Sequence, residues 1–449
     1  MLGKLAFKEA KRSLSSYGVF FFSLTLAIAI FYAFSSVYPQ MLALLDETLV
    51  EKNLASLSVL ESAMKVAGFF VALMFIFLVG YASTFFFKGK KRQIALFLML
   101  GMERKEVAGI QILQSLLVSV LSFVSGIAIG IGLSQLLALL TSFTFAGDVS
   151  LYRFYFGTEG FLATLVFFLA LFVLVSLFTL LSIGRTPLME LSQSSKKGED
   201  KGAGSHKKTT ILFLVIAIVL YVVGCALMVI GFMETCFCVF IIGSISGFLF
   251  FYSFSSLLNN KVKRSKGYYK GLNPFVYKEF FSRLHSASLT LAFISLTIIL
   301  TFVLMGLGFG IQLGYKGEDN WSGFSYIGLY MGGSFLLTSL AILGLRQVSA
   351  TTESKDRYLF LAKLGASRSE ITGAALRESA LYYLAPLLFA FIPSLCASIG
   401  ASLEGRKYMG ADLSGGIFLA LGIILAVYLL YYFFIALKVR KIVNARKVR

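Results

Sequence analysis

The chain has 449 residues, of which 58% are hydrophobic, 15% aromatic and only 14% charged, with a mean hydropathy of +0.84. Soluble domains carry roughly 45–50% apolar and about 25% charged residues, so an ordinary soluble enzyme is excluded, as is a disordered or collagenous chain. The 41 Lys and Arg against 22 Asp and Glu give a net charge of +19, which suits nucleic acid or anionic lipid until the positions of the charges decide between them.

A bilayer core about 30 Å thick needs roughly 20 apolar residues of helix. About ten stretches meet that requirement: Tyr17–Tyr38, Val66–Phe87, Ile110–Leu140, Gly160–Ile183, Thr210–Phe232, Thr235–Leu258, Ser288–Gly314, Phe324–Leu345, Ala380–Ser402 and Gly415–Leu437. The expected fold is all-α, a polytopic membrane protein of about ten transmembrane helices. The first stretch reads as a retained span, because its apolar run is too long for a signal peptide. With the N-terminus in the cytoplasm, 35 of the 41 basic residues fall on the inner side, leaving only Lys52, Lys65, Arg153, Lys316, Arg406 and Lys407 outside. That distribution satisfies the positive-inside rule. It predicts a multi-pass cell-membrane protein with both termini cytoplasmic, and attraction to inner-leaflet lipid accounts for the charge without nucleic acid.

Between the spans, Pro39–Lys65 is the longest outer connection, and Gly314–Gly323 is a short turn around Trp321. Ser192–Thr209 (SQSSKKGEDKGAGSHKKT) is a linker by composition. The two halves repeat. Ala6-Phe7-Lys8-Glu9 before the first span parallels Val276-Tyr277-Lys278-Glu279 before the seventh, with Leu14 matching Leu284. Further on, Leu100-Gly101-Met102-Glu103-Arg104-Lys105-Glu106-Val107 parallels Leu364-Gly365-Ala366-Ser367-Arg368-Ser369-Glu370-Ile371. The physical content is a helix stopped by glycine, then a new helix whose first turn carries Glu106 or Glu370, where the dipole favours it. An even number of spans lies between the copies, so both keep one orientation. The predicted organisation is a first unit over 1–191, a linker over 192–209, a two-span insert over 210–258 and a second unit over 259–449.

Within the spans there is essentially no Asp, Glu, Lys, Arg or His, which disfavours an ion-coupled carrier. No GxxxxGK[ST] is present, hence no phosphate-cradling loop. His206, His285 and the four cysteines Cys225, Cys236, Cys238 and Cys396 form no ligand cluster, so no metal site is expected. Glycines four apart at Gly126 and Gly130, at Gly243 and Gly247, at Gly306, Gly310 and Gly314, and at Gly328 and Gly332 suggest close helix packing. Pro386 and Pro393 predict a kink or break in the ninth span, unless Pro386 sits in a first turn.

The stretches Lys91-Arg92-Gln93-Ile94-Ala95-Leu96-Phe97-Leu98-Met99-Leu100-Gly101-Met102 and Lys355-Asp356-Arg357-Tyr358-Leu359-Phe360-Leu361-Ala362-Lys363-Leu364-Gly365-Ala366-Ser367 resemble an FtsX-like ABC-transporter permease. Arg185-Thr186-Pro187-Leu188-Met189-Glu190-Leu191 is similar to the family's closing signature. Two such units with a two-span insert resemble, more narrowly, the BceB-like (bacitracin-resistance) permeases of Gram-positive bacteria. The sequence departs from that pattern at Gln93, where many members have Glu, and in lacking a large outer domain between the seventh and eighth spans.

The resemblance implies a partner ABC ATPase homodimer that binds the Mg-ATP, with no cofactor and no enzymatic activity in this chain. It implies that the ATPase grips two cytoplasmic helices, Lys90–Leu100 and Lys355–Leu364. The coupling set expected there is Arg92, Gln93, Ile94, Phe97, Leu98, Leu100, Gly101 and Met102, with Tyr358, Leu359, Phe360, Leu364, Gly365, Ala366 and Ser367. Ile94, Phe97, Leu98, Leu359, Phe360 and Leu364 are expected to form the docking face. The implied function is expulsion or displacement of an amphipathic substrate (antimicrobial peptide, lipopeptide or lipid) at the outer surface. The alternative is a non-transporting subunit that transmits ATPase motion to an extracytoplasmic enzyme or a membrane sensor kinase. No residue is assigned to substrate.

Overall fold

The computed structural model describes residues 14–36, 38–40, 54–146, 154, 156–185, 207–262, 268–269, 271–315 and 322–444. The basic helix expected around Lys8 and Glu9, the linker before residue 207, the signature from Thr186 to Leu191, Trp321 and the side chain of Arg92 lie outside the described residues. Regular structure among the described residues is entirely helical: α1 (Leu14–Ser35), α2 (Leu54–Met99), α3 (Arg104–Ala146), α4 (Thr158–Arg185), α5 (Lys207–Ile230), α6 (Phe232–Val262), α7 (Asn273–Ser286), α8 (Ser288–Gly314), α9 (Ser322–Glu353), α10 (Lys355–Lys363), α11 (Arg368–Met409) and α12 (Ser414–Asn444). Lipid offers the backbone no hydrogen-bond partner, so a spanning segment must bond within itself, and runs such as LAIAIFYAF in α1 are apolar on every face.

Nine stretches among the described residues are long and apolar enough to cross a membrane, against the ten expected. The difference lies in α2, where the described apolar run is Val71–Thr84, shorter than the predicted Val66–Phe87. The chain is thus a multi-pass membrane protein. It divides into two compact units, Met1–Gly198 and Glu199–Arg449.

In the first unit α1 is central and packs against α3, α2 and α4. In the second, α8 takes the same place, packed against α9, α12, α11 and α6. Of the apolar windows, 76% of α1's and 78% of α8's is buried, against 17% of α12's, so α1 and α8 are cores while α12 turns most of its surface outward. Small residues make that centring possible. A Cβ on Gly126 of α3 would stand 2.8 Å from Ile28 Cβ, and one on Gly130 would stand 3.0 Å from the Ala29 carbonyl. Gly310 of α8 faces Leu413 at 3.0 Å and Gly314 abuts the Asp412 carbonyl, while Gly306 has ordinary contact with Ile417 at 3.5 Å.

α11 runs unbroken through Pro386 and Pro393 for 42 residues. The predicted break is therefore absent, and Pro386 lies far from any first turn. Proline has no N–H and deprives the carbonyl four residues back of its helical partner. For Pro393 that carbonyl belongs to Phe389, and Tyr221 of α5 donates its hydroxyl to it at 2.9 Å. The neighbouring helix supplies the missing bond, as buried carbonyls require.

At about 1.5 Å per residue, the 46 residues of α2, 43 of α3 and 42 of α11 span roughly 63–69 Å, about twice the bilayer core. These three helices therefore continue past the apolar layer. Their polar ends form the turn between α2 and α3 in the first unit and the turn before α11 in the second.

Candidate functional site

The turns linking α2 to α3 and α10 to α11 are two copies of one structure. Each first helix ends in a glycine with left-handed backbone, Gly101 at φ +90° and Gly365 at φ +97°, a conformation costly to residues carrying a Cβ. Around them the closing backbone bonds recur at a fixed offset of 264 residues. Gly101 N–H donates to the Leu98 carbonyl and Gly365 N–H to that of Ala362, both at 3.2 Å; Met102 N–H reaches Phe97 at 3.2 Å and Ala366 N–H reaches Leu361 at 3.1 Å. This is a Schellman closure, which satisfies carbonyls the helix end leaves open. The following helix starts alike in both. Glu106 accepts from Glu103 N–H at 3.2 Å, and Glu370 accepts from Ser367 N–H at 2.9 Å, with the Ser367 side chain completing a capping box.

The side presented by the first elbow differs from the expected docking face, while the second elbow presents Phe360 and Leu364 of it. Ile94 is 1% exposed, packed with Phe87, Ala95, Val107, Ala108 and Ile183, and Phe97, Leu98 and Met102 lean on that cluster. They are the elbow's own core, because the helix turns them toward α3 and α4. What faces outward is Leu96 (55% exposed), Met99 and Leu100 (73%). In the second copy Tyr358 is buried and Leu359 half-buried, whereas Phe360 (61%) and Leu364 (69%) are exposed. At the 264-residue offset, Leu96 aligns with Phe360 and Leu100 with Leu364. Both elbows thus hold out one apolar pair at i and i+4, one above the other on a single helix face. Leu96 was missing from the expected set, and aligning the two copies residue by residue is the signal that finds it. Gln93, half-exposed, accepts from the buried Lys90 Nζ at 3.0 Å.

The supports behind the elbows differ. In the first unit, α2 is one continuous helix up to Met99, and Arg104 of α3 donates to the Gly184 carbonyl at the end of α4 at 2.6 Å. In the second, α9 stops at Glu353, Ser354 forms a turn, and α10 restarts at Lys355 for only nine residues. Behind that turn lies a buried polar group. Arg283 of α7 pairs with Glu279 at 2.9 Å and with Glu378 of α11 at 2.7 Å, and donates to the Ala350 carbonyl at 2.8 Å and to the Ser354 hydroxyl. Glu279 also accepts from Ser354 at 3.2 Å and from Arg357 at 2.6 Å, and Glu378 accepts from the Tyr358 hydroxyl at 2.8 Å. Burial alone would depress the Arg283 guanidinium, but Glu378 and Glu279 outweigh it and hold it above its ordinary value. Burial, together with Glu378, pushes the Tyr358 phenol well up, so it remains a donor. The group extends along α11, where Tyr382 accepts from Arg346 of α9 at 2.6 Å and donates to the Arg283 carbonyl at 3.1 Å. Of these residues sequence reading places only Tyr358 in a site, since Glu279 and Glu378 stand 99 positions apart.

Comparison with known proteins places the first elbow within a family model. The model of the FtsX-like permease C-terminal domain matches residues 65–188, which contain α2's end, the first elbow, α3 and α4. The chain is 24% identical over 303 residues to an uncharacterized ABC transporter permease, YvcS, of Bacillus subtilis, covering 67% of this chain and 46% of that one. It is 22% identical over 326 residues to the bacitracin export permease protein BceB of B. subtilis, covering 69% and 48% respectively. For BceB of Halalkalibacterium halodurans the identity is 25% over 278 residues, covering 59% and 41%. The chain spans about half the length of the curated relatives it matches. Residues 65–188 are thus an FtsX-like permease domain, and the chain is homologous to the ABC transporter permeases YvcS and BceB.

Proposed function

We propose that this permease is the transmembrane subunit of an ABC transporter whose ATPase, a dimer on the cytoplasmic side, seats one subunit on each elbow. The observation that carries the reading is the matched exposure of Leu96 with Leu100 and of Phe360 with Leu364 beside the glycine stops that precede the long helices α3 and α11. Two copies of one apolar knob suit two copies of one groove, and a helix face laid into a groove is a recurrent recognition mode. The positive-inside distribution supports placing both elbows, and both termini, in the cytoplasm. ATP-driven movement of the partner would pass along α2, α3 and α11 to the outer ends of the spans. There it would displace an amphipathic cargo of the peptide-antibiotic, lipopeptide or lipid class, with export of bacitracin by the BceB relatives as the precedent. A non-transporting reading, in which the same motion drives an outer enzyme or a sensor kinase, is supported by the shortness of the connection between the seventh and eighth spans.

Affinity purification of the tagged chain from its native membrane tests the core of this reading. An ABC ATPase should co-purify, be stimulated by the permease and be lost from a Leu100→Ser/Phe360→Ser variant that remains inserted. Substrate flux in vesicles holding both proteins then separates transport from regulation.

A further inference from the structure

We propose that Arg283 is a positioning residue for the second elbow: with Glu279, Glu378, Ser354 and Tyr358 it clamps α10 and sets the direction in which Phe360 and Leu364 point, a task that in the first unit falls to an unbroken helix. The proposal rests on the docking reading for its significance, but the geometry behind it is independent.

A nine-residue helix does not hold itself in water, because too few turns repay its nucleation. Its orientation must come from what it touches. Among the described side chains of α10 only Tyr358 is buried, and its hydroxyl is committed to Glu378 of α11. The turn that starts α10 is committed likewise: the Ser354 side chain makes no capping bond to the helix it precedes and instead joins Arg283 and Glu279 of α7. Arg357, one residue before Tyr358, adds the only other described anchor, again on Glu279. Among the described side chains of α10, both polar ties to the bundle thus end on the two carboxylates that flank Arg283.

The first unit keeps a glutamate, Glu9, in line with Glu279 but differs at four other aligned positions. Ile94 stands where Tyr358 does, Gln114 where Glu378 does, Gln93 where Arg357 does and Lys90 where Ser354 does. There the elbow is an extension of α2, and Ile94 seals it onto Val107, Ala108 and Ile183. One elbow is therefore stiff and held by apolar packing; the other is jointed at Ser354 and held by charge.

The experiment needs no ATPase. In a background with the native cysteines changed to serine, spin labels are placed at Lys278→Cys on α7 and Ala362→Cys on α10, both solvent-exposed, and their separation is measured by pulsed electron resonance in lipid nanodiscs. The parent should give one narrow distance distribution. Glu378→Gln, and more mildly Tyr358→Phe, should broaden it and move it to a longer mean. A triple variant, Glu279→Leu/Arg283→Met/Glu378→Met, addresses a merely structural role, because an apolar set of similar volume often replaces a buried ionic one without loss of stability. The triple variant should regain the parent's thermal midpoint while its distribution stays broad. A parent-like distribution in the triple variant, or in both Glu378→Gln and Tyr358→Phe, overturns the proposal. Absence of any co-purifying ATPase would count against the docking reading alone and leave these distances as they are.

Discussion

Phe360 and Ile94 occupy neighbouring places in the repeated elbow, yet their truncation should have opposite signatures. Phe360 is 61% exposed, and a phenylalanine side chain offers roughly 150–250 Å² in all, so about 120 Å² is free to be covered by a partner. Cutting it to alanine removes about 90 Å² of that, worth about 2 kcal/mol at ~25 cal/mol per Å², or roughly a 30-fold rise in Kd. Because that surface is already exposed in the free chain, the fold should lose no more than about 0.5 kcal/mol. Ile94 is 1% exposed; its truncation leaves a cavity under the first elbow and should cost about 2–5 kcal/mol of stability. The folded fraction should still bind, since Leu96 and Leu100 are untouched. The assay is titration of the co-purifying ATPase onto nanodisc-embedded variants, with thermal unfolding measured in parallel. An unchanged Kd for Phe360→Ala would refute the reasoning and assign α10's outer face to the leaflet surface, where a juxtamembrane amphipath can also rest.

Three further outcomes follow from the geometry. Gly310→Ala, whose methyl would stand 3.0 Å from Leu413 Cβ, should destabilise by about 1–3 kcal/mol, while Gly306→Ala, with 3.5 Å of room, should stay within about 0.5 kcal/mol; thermal melts of the two variants check the contrast. Gly365→Ala forces a Cβ into φ +97° and should cost about 1–3 kcal/mol, seen as faster amide exchange over residues 364–370, with Gly101→Ala behaving alike. Cys225 of α5 and Cys396 of α11 are free thiols on two helices packed together, so a short membrane-permeable thiol cross-linker should join these two helices in native membranes; peptide mapping that finds only monovalent adducts would displace α5 from this register.

The apolar runs, the linker composition and the two Leu-Gly stops are plain in the sequence because each has a local cause: lipid demands helix, and a left-handed cap demands glycine. What faces what is not local. Ile94, Phe97 and Leu98 look like a docking stripe when the helix is read alone, and only the approach of Val107 and Ile183 turns them inward. The Arg283 group was invisible for a similar reason. Glu378 lies just outside the apolar window that defines the ninth span, and Arg346 just outside the eighth, so a count of charges within spans passes over both. α11 begins at Arg368 and α9 continues to Glu353, which carries these charges into the packed bundle. Pro393 signals a break by every sequence rule, and nothing near it in the chain reveals that Tyr221 has replaced the lost bond.

That bond bears on how the protein is made. Tyr221 and Phe389 are 168 residues apart, and at about 5–20 residues synthesised per second the α5 hydroxyl reaches the membrane roughly 10–30 s before the carbonyl it serves. The order favours the proline. By the time α11 enters the bilayer with one backbone acceptor lacking its helical donor, that donor is already waiting on an inserted neighbour, so the exposed acceptor need never persist in lipid. A chain ending before Phe389 would leave the Tyr221 hydroxyl of α5 without this acceptor. α5 thus precedes, in the order of synthesis, the helix whose proline it serves.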